Sequence, residues 1–456
     1  MSRYKAYAEY KDSGVESLTK IPTHWEHTRV KYIGELTPKK PVIDRKLECS
    51  FIPMEKLKTD SITLDETRVV GDVYDGYTYF QDEDILMAKV TPCFENKNIA
   101  VAKNLVNGIG FGSSEIYVIR TKKDVCNRYW FYRFQEDSFM DIATAAMSGA
   151  GGLKRVPSDV VTNFTAALPS ILEQQTIANF LDHETAKIDT LIAKQQGLIK
   201  LLKEKRQAVI SHAVTKGLNP NAPMRDSGVE WLGEVPAHWD VWKFGQFSPI
   251  ITCGIAATPE YVDEENGVPF LSAQNIQNNQ LSLHKFSYIT KELHAQLTKY
   301  RQPEKGDVLV TRVGAGIGAA CVIDIDMVFS IYVSLTHIRV NPSIAFNKFI
   351  VYFFACDYCQ YLNYQGTVTG GGVGNLNVQN VIRYQVPLPN LDEQIKIVEY
   401  LDSEGEKFSA LIEKAEIAIS LMQERRTALI SAAVTGKIDV RDWQPASVPE
   451  LEDATA

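Results

Sequence analysis

Apolar residues recur at seven-residue intervals in two long stretches of this chain, one near its middle and one towards its C-terminal end. The first stretch carries two neighbouring apolar rows, which consist of Leu181, Ile188, Leu202 and Val209 and of Ile177, Leu191 and Leu198. The second also carries two rows, which consist of Leu401, Phe408, Ala415, Met422 and Leu429 and of Ile397, Leu411 and Ala418. A sustained heptad with charged residues between the apolar positions is typical of a coiled coil. The pattern predicts two long helices that partner each other, although a helix packed on its own domain would also bury one apolar face.

The residues at the ends of both stretches are typical helix signals. Ser170 stands three residues before Glu173, and Asn390 stands three residues before Glu393, which is the spacing of a capping box. A glycine follows the last apolar positions of each stretch and predicts a C-terminal stop. We therefore expect helices with the bounds 171–217 and 391–437, and a linker over 218–225 that is rich in Asn and Pro.

The segments in front of the two long helices show shorter patterns. Alternating or continuous apolar runs predict strands at Ile85–Val90, Ile116–Arg120, Val308–Val313, Ala320–Ile325 and Leu335–Val340. Aromatic runs at Tyr129–Phe134 and Phe349–Phe354 are more typical of buried helices. Each segment is roughly 150 residues long, which is enough for a compact α+β domain with its own core.

The chain contains an internal repeat. Residues 12–26 and 226–240 are identical at nine of fifteen positions, at an offset of 214. Residues 168–217 and 388–437 are identical at 22 of 50 positions, at an offset of 220. Two units of this length indicate pseudo-twofold symmetry, since a solenoid would need several short repeats. We expect two similar domains, over 1–170 and 226–390, each followed by one long helix, and an acidic tail over 438–456.

Composition is that of an ordinary globular protein. The chain has 456 residues, of which 45% are hydrophobic and 23% charged, and no run approaches the ~18 uncharged apolar residues of a membrane helix. The N-terminal segment lacks the apolar region of a signal peptide, and seven scattered cysteines do not form a disulfide framework. We expect a reduced, cytoplasmic protein without a membrane partner.

The net charge of −8 leaves a nucleic-acid partner open because of its distribution. From residue 388 to the end there are 14 acidic and 7 basic residues, so nearly the whole excess lies there. Between Asp84 and Arg133 eight basic residues outnumber four acidic ones. An acidic total can therefore hide local basic surfaces.

Signatures of catalysis are weak throughout. The GAGIGA run over 314–319 resembles a dinucleotide loop, but an apolar run and not a helix follows it, which favours a hairpin. Cys356 and Cys359 lack the second pair of ligands that zinc needs, so buried structural thiols are the better interpretation. Asp84 with Glu95 and Lys97 has nuclease-like spacing, which the second copy lacks. We predict a chain that is not an enzyme and carries no catalytic residue, metal or cofactor.

Polar loop residues are the remaining candidates for chemistry, and they suit the edges of DNA bases. Asn and Gln can bind adenine bidentately, and Arg and Lys can read guanine. Gly151 and Gly152 align with Gly371 and Gly372, and glycines let a backbone approach phosphate closely. An ordinary solvated turn remains the alternative for the amide-rich segment 274–280. The candidate DNA-binding residues are Lys89, Thr91, Lys97, Asn98, Lys154, Arg155, Gln274, Asn275, Arg312, Asn375 and Asn377.

With these motifs in this order, the chain resembles the specificity subunit of a type I restriction–modification system. The resemblance covers nearly the whole chain. It rests on LPSILEQQTIANFLD and LPNLDEQIKIVEYLD at the starts of the long helices, on KRQAVISHAVTKG and ERRTALISAAVTGKI at their ends, and on an opening of the DSGVEWLGEVPAHW type in each copy.

The resemblance implies two target-recognition domains separated by two antiparallel helices, each domain reading one half of a bipartite, non-palindromic site in double-stranded DNA. The helices would dock two copies of a methylase subunit, which binds S-adenosylmethionine, and a separate translocating nuclease subunit would use ATP and magnesium. The predicted coiled-coil and docking residues are Leu181, Ile188, Leu191, Leu198, Leu202, Val209, Leu401, Phe408, Leu411, Met422 and Leu429. The alternatives are a stand-alone endonuclease or methylase and a structural coiled-coil adaptor.

Overall fold

A computed structural model describes residues 4–15, 18–256, 259–314, 316–370 and 373–445. The chain divides into two compact units, which we call unit 1 (residues 1–195 with 417–456) and unit 2 (residues 196–416). Both predicted long helices are present, as a central helix at Ile171–Lys216 and a C-terminal helix at Leu391–Val434. The division between the units falls inside both helices, so each unit combines one mixed domain with part of each helix.

The predicted caps hold both helix starts. The backbone N–H of Glu173 donates to the Ser170 hydroxyl at 3.3 Å, and that of Glu393 donates to the Asn390 side chain at 2.9 Å. After the helices, Gly217 and Gly436 adopt left-handed backbone with φ of +77° and +76°. A Cβ atom at Gly436 would lie 2.5 Å from a ring carbon of Pro22, so only glycine fits there.

Unit 1 has an α+β domain in front of the central helix. Its helices are Val30–Ile33, Val70–Val73, Asn127–Arg133, Asp137–Ala145 and Ser158–Asn163. Its strands are Tyr10–Asp12, Lys20–Pro22, Glu26–Arg29, Gly34–Leu36, Glu48–Ile52, Leu57–Lys58, Ser61–Ile62, Thr67–Val69, Thr78–Gln81, Ile85–Ala88, Ile99–Val101, Ile109–Gly112, Ile116–Thr121 and Thr165–Leu168.

Unit 2 also has an α+β domain, which precedes the C-terminal helix. Its helices are Phe244–Phe247, Lys291–Thr298, Asn347–Ala355, Asp357–Gln365 and Val378–Arg383. Its strands are Met224–Asp226, Glu234–Pro236, Asp240–Lys243, Ile250–Cys253, Tyr261–Val262, Gly267–Leu271, Ile276–Gln277, Gln280–Leu281, Ser287–Thr290, Val308–Thr311, Ala320–Val322, Ser330–Ile331, Leu335–Arg339, Thr367–Gly370, Val373–Leu376 and Gln385–Leu388.

The predicted strands belong to an antiparallel four-stranded sheet in each unit. The strand order is 99–101, 85–88, 116–121, 34–36 in unit 1 and 320–322, 308–311, 335–339, 250–253 in unit 2, which are repeat-related positions in the same order. A second four-stranded sheet in each unit includes one parallel pair. The predicted α+β fold class with an internal repeat is therefore confirmed.

An aspartate–arginine ion pair recurs at the same place in the two central sheets. Arg120 donates to both carboxylate oxygens of Asp84 at 2.8 and 2.6 Å. Arg339 binds both oxygens of Asp307 at 2.8 Å in the same way. Both aspartates are buried, and such groups are tolerated in an interior when a partner binds them fully. In each copy the aspartate therefore helps to fix the register of its sheet.

The repeated EQ motif joins each domain to its helix. Gln174 accepts a hydrogen bond from the backbone N–H of Cys126 at 3.1 Å, and Gln394 accepts one from Phe346 at 2.7 Å. His24 lies 3.1 Å from the carboxylate of Glu173, and His238 lies 2.9 Å from that of Glu393. The PTHWE and PAHWD motifs thus bind the first turns of the long helices.

The long helices run antiparallel within each unit. In unit 1 the start of the central helix packs on the end of the C-terminal helix, with Ile188 and Leu429 in one core and Arg426 bonded to Asp189 at 3.0 Å. In unit 2 the end of the central helix packs on the start of the C-terminal helix, with Val214 and Leu401 in one core. The predicted pairing of the two helices is confirmed.

One part of the predicted seam is not in the helix–helix contact. Leu181, Ile188, Leu401, Phe408 and Leu429 are buried, and Leu202, Val209 and Met422 are partly buried. Leu191, Leu198 and Leu411 are instead 50%, 44% and 49% exposed. A contact between only two helices covers a narrow strip, so these three leucines of the second apolar row lie outside it.

The predicted acidic tail is partly a packed segment. Ile438 and Val440 are buried in the core of unit 1, and the ring of Trp443 packs on Phe180. The backbone N–H of Asp439 donates to the carbonyl of Lys5 at 2.7 Å. Residues 446–456 of that tail lie outside the described residues.

The described helices include none that is long and apolar enough to cross a membrane. All seven cysteines are free, so no disulfide constrains either unit.

Candidate nucleic-acid interface

In unit 1 two of the predicted contact segments lie side by side. Val90, two residues after the strand Ile85–Ala88, pairs with Arg155 in the loop before the helix Ser158–Asn163. The Thr91 hydroxyl donates to the carbonyl of Gly152 and accepts from the backbone N–H of Lys154, both at 3.0 Å. The turn after the strand and the glycine-containing loop therefore form one surface, although they are about 60 residues apart in sequence.

Unit 2 has the same arrangement at the repeat-related positions. Val313 follows the equivalent strand and pairs with Asn375. The backbone N–H of Leu376 donates to the carbonyl of Arg312 at 2.8 Å. Asn375 belongs to a hairpin of strands Thr367–Gly370 and Val373–Leu376. The aligned glycines Gly371 and Gly372 lie outside the described residues.

In unit 1 the exposed charges of this surface centre on Glu115, which sequence reasoning missed. Arg155 donates to its two carboxylate oxygens at 2.9 and 2.7 Å, and the Lys89 ammonium lies 4.0 Å from it and above the Tyr117 ring. The hydrogen bond from Arg155 lowers the pKa of Glu115. Lys154 is exposed and makes no ion pair with any described residue.

In unit 2 an arginine takes the organising position. Arg312 is buried, and it donates to the carbonyls of Leu376 and Val333 at 3.0 and 3.4 Å and to Oδ1 of Asn375 at 2.8 Å. Asn375 is exposed. Asn377 is also exposed, but its side chain caps the helix Val378–Arg383 by accepting from the N–H of Gln379 at 2.9 Å.

Three other candidates are either buried or have their polar atoms engaged inside the domains. The Lys97 ammonium donates to the carbonyl of Gln135 at 2.8 Å and lies 3.6 Å from Asp137. Asn98 is buried beside the first hairpin turn. Asn275 is buried and donates to the carbonyls of Ser282 and Lys285 at 2.8 and 3.0 Å. Their predicted contacts with DNA would require these side chains to rearrange.

The amide-rich segment of unit 2 is a hairpin tip. Strands Ile276–Gln277 and Gln280–Leu281 are joined by Asn278 and Asn279, which have φ of +51° and +61° and are exposed. Asparagine tolerates this left-handed conformation better than most residues. Gln274 is also exposed, and its side chain lies 3.4 Å from the carbonyl of Lys285.

The motifs that resembled catalytic sites have structural surroundings. Both carboxylate oxygens of Asp84, the aspartate of the nuclease-like pattern, are bound by Arg120, so this carboxylate has a structural role in the sheet. The strands before and after the GAGIGA run pair antiparallel, as expected of a hairpin. Cys356 and Cys359 are buried, and burial raises the pKa of the Cys356 thiol to about 12, which disfavours the reactive thiolate.

Residues 236–420 match the family described as type I restriction modification DNA specificity domain. The chain is 39% identical over 165 residues to the EcoAI type I restriction enzyme specificity subunit of Escherichia coli. It is 33% identical over 189 residues to the EcoEI specificity subunit of the same organism. These matches cover 36% and 41% of this chain and 28% and 32% of the two relatives. The resemblance to specificity subunits is confirmed.

The fold has a counterpart among solved structures. A chain from a study of complex assembly and conformational transition of the type I R-M system superposes with a TM-score of 0.73, covering 92% of this chain and 99% of its own length. Sequence identity is 17%, so this likeness concerns the fold. It includes nearly the whole chain, whereas the family match lies mainly in unit 2.

Proposed function

We infer that this chain is the DNA-specificity subunit of a type I restriction–modification complex, and that each domain reads one half of a bipartite site. The observation that carries this inference is the family match over residues 236–420 together with the second copy of the same fold in unit 1. One domain recognises one half-site, so two domains on one chain recognise a longer DNA site. Linking two modest half-site affinities in this way gives tight and selective binding.

The differences between the copies support two unlike half-sites. The sheets have the same strand order, but the surface of unit 1 presents Lys154 and Arg155, while that of unit 2 presents Asn375 and the tip at Asn278. Arginine and lysine suit guanine, whereas amides suit adenine or other acceptors. A scaffold that stays the same while its exposed polar residues change is expected of two readers of different sequences.

The long helices are proposed to dock two copies of one methylase subunit. Leu191 and Leu201 of the central helix are repeat-equivalent to Leu411 and Leu421 of the C-terminal helix. These leucines are 50% and 63% exposed against 49% and 59%. Each unit therefore presents one exposed leucine of each kind, from opposite helices. The same apolar surface made twice fits two copies of one partner, since exposed apolar patches mark interaction sites.

In this proposal the methylase and restriction subunits carry out the catalytic steps. Methylation of an adenine requires a base flipped into a catalytic pocket, which the methylase would supply together with S-adenosylmethionine. ATP and magnesium would serve the restriction subunits. The chain itself would act without catalysis, in the cytoplasm, as the part of the complex that chooses the sequence.

A genome-wide map of N6-methyladenine tests the proposal. Cells with an active methylase subunit would be compared with and without this chain. We expect a bipartite motif that is methylated only when the chain is present, and its two halves should differ. Methylation that is unchanged without the chain would contradict the proposal. Activity of the purified chain alone with Mg²⁺ or a methyl donor would favour an enzyme, and helix pairing without any DNA preference would favour an adaptor.

A further inference from the structure

Within each unit, a turn after a strand and a loop bring three positions together. These positions are repeat-equivalent in the two units but carry different residues. In unit 1 these are Lys89, Glu115 and Arg155. In unit 2 the corresponding positions, from the offsets of the surrounding motifs, are Arg312, Ser334 and Asn375. The backbone contacts are the same in both: Lys89 N–H donates to the Glu115 carbonyl at 3.0 Å, and Arg312 N–H to the Ser334 carbonyl at 2.9 Å.

In each unit the exposed residue at the third position is held by a partner that matches its chemistry. Arg155 is held by a carboxylate, through Nε and one N–H of Nη2. Asn375 is held by a guanidinium, through its Oδ1 atom. The amide orientation of Asn375 is defined by this bond, because arginine can only donate. Exposed side chains held in one orientation lose less entropy on binding than free ones.

The contacts of Arg155 leave one recognition edge open. Nη1 and the second N–H of Nη2 have no partner among the described residues, and the side chain is 46% exposed. Those donors form a planar fork that matches O6 and N7 of guanine. A phosphate role is less suitable, because Glu115 neutralises the guanidinium and would repel phosphate. The neighbouring Lys154 is free for that purpose.

The contacts of Asn375 leave a different edge open. Its Oδ1 atom already accepts from the Arg312 guanidinium, which uses one of the two lone pairs of this oxygen and competes with the bidentate pairing of Asn with adenine. The Nδ2 group has no partner among the described residues and can donate to a major-groove acceptor. Guanine, adenine and thymine present such an acceptor, and cytosine does not.

We propose that Arg155 and Asn375 are equivalent base-reading residues, that Arg155 held by Glu115 reads a guanine in one half-site, and that Asn375 held by Arg312 reads a base with a major-groove acceptor in the other. This assignment rests on the proposed function and adds the chemistry of one position in each half-site. Glu115 and Arg312 are positioning residues, which act through the reader that they hold.

The methylation map of the proposed function, repeated with variants, tests the assignment. We expect the wild-type motif to contain a guanine that loses its preference in R155A and in R155K, since lysine keeps the charge without the fork. E115Q should weaken the preference for guanine at that same position, by on the order of 10-fold. N375A should change one position in the other half only.

A matched control separates base reading from loss of a surface ion pair. Glu66 binds Arg68 of unit 1 at 2.9 and 2.7 Å, with similar exposure, so E66Q removes the same charge from the same unit. We expect E66Q to leave the motif unchanged. If a variant abolishes methylation, its base preference can be measured by binding instead. DNA sites that differ at a single base then compete for the purified complex, and loss of discrimination at one position supports the assignment.

Two outcomes would overturn the assignment and are distinguishable. A wild-type chain that directs no methylation motif removes the proposed function and this inference together. A chain-dependent motif that is the same in wild type, R155A and E115Q, or that has no guanine in either half, overturns the inference alone.

Discussion

At the scale of single residues, the two copies use the same buried aspartate with different support. Arg120 binds Asp84 in unit 1, whereas Arg339 and His337 both bind Asp307 in unit 2, with His337 at 2.7 Å. Burial would raise the pKa of Asp307, but the bonds from Arg339 and His337 outweigh it and lower the pKa to about 2. The ionised aspartate therefore stabilises the folded unit.

The Asp307 cluster predicts an acid-dependent loss of stability. The pKa falls from 3.8 unfolded to about 2 folded, so about 2 kcal/mol of stabilisation is present above pH 4 and is lost as the pH falls towards 2. D307N should remove this dependence and destabilise the protein by about 3 kcal/mol or more, because Arg339 and the buried His337 lose the carboxylate that both bind. Denaturant unfolding between pH 2 and 7 measures both effects.

The control for this prediction is D326N. Asp326 pairs with Lys305 on the surface and is 80% exposed, so its loss should change the free energy of unfolding by less than about 1 kcal/mol. A D307N protein as stable as wild type, with unchanged acid sensitivity, would contradict the role of the cluster.

At the scale of elements, the long helices bury or partly bury the first row of each heptad, whereas Leu191, Leu198 and Leu411 of the second row are exposed. The buried row joins the cores of the domains, as Ile188 does in unit 1 and Leu401 in unit 2. Repeat-equivalent tyrosines, Tyr132 and Tyr352, tie domain helices to the long helices by donating to Asp182 and Asp402, both at 2.7 Å. Each long helix thus has one face for its own chain and one face that remains accessible.

Leu191 and Leu411 test the accessible face. L191D and L411D place a charge on an exposed position, so folding should continue while methylase docking is lost. We expect each single variant to bind one methylase copy and the double variant none, with affinity at the altered surface reduced at least about 10-fold, as for an interface hot spot. The masses of the purified complexes give the stoichiometry.

L64D is the matched control for docking. Leu64 of unit 1 is 40% exposed but lies outside the long helices, so it should still bind two methylase copies. Unchanged helix content by circular dichroism verifies folding of each variant. Two copies bound by the double variant would place the docking surface elsewhere.

At the scale of the whole molecule, unit 2 is continuous in sequence whereas unit 1 is assembled from both ends of the described chain. Ile438 and Val440 lie in the same core as Ile21 and Trp25. The Tyr10 hydroxyl donates to the carbonyl of Gly436 at 3.0 Å. The described part of the segment after the C-terminal helix therefore completes the core of unit 1.

The discontinuous core predicts a selective loss of stability. The I438D/V440D variant buries charges in unit 1 and should destabilise it by more than about 3 kcal/mol. Hydrogen exchange should then accelerate in the domain of unit 1, while the strands of unit 2 keep their protection. D442N, on an exposed residue of the same segment, should leave both patterns unchanged. Equal loss of protection in both units would contradict two separate cores.

The sequence alone determined the elements whose signals are local or repeated. Heptads defined both long helices, Ser170 and Asn390 marked their starts, and alternating apolar runs located the central strands, because helix caps and side-chain periodicity depend on near neighbours. The repeat at an offset of 220 identified the two copies. The EQ and PxHW motifs indicated a resemblance to specificity subunits, because a sequence motif can be compared without its tertiary contacts.

Tertiary structure decided which polar groups are available. Asn98 and Asn275 looked like free amides in sequence but are buried, whereas Glu115 carried no signal and organises the surface of unit 1. It also decided that Leu191 and Leu411 lie outside the helix seam and that Ile438 belongs to a core. Burial and pairing depend on residues that are distant in sequence, and a local pattern contains no information about those neighbours.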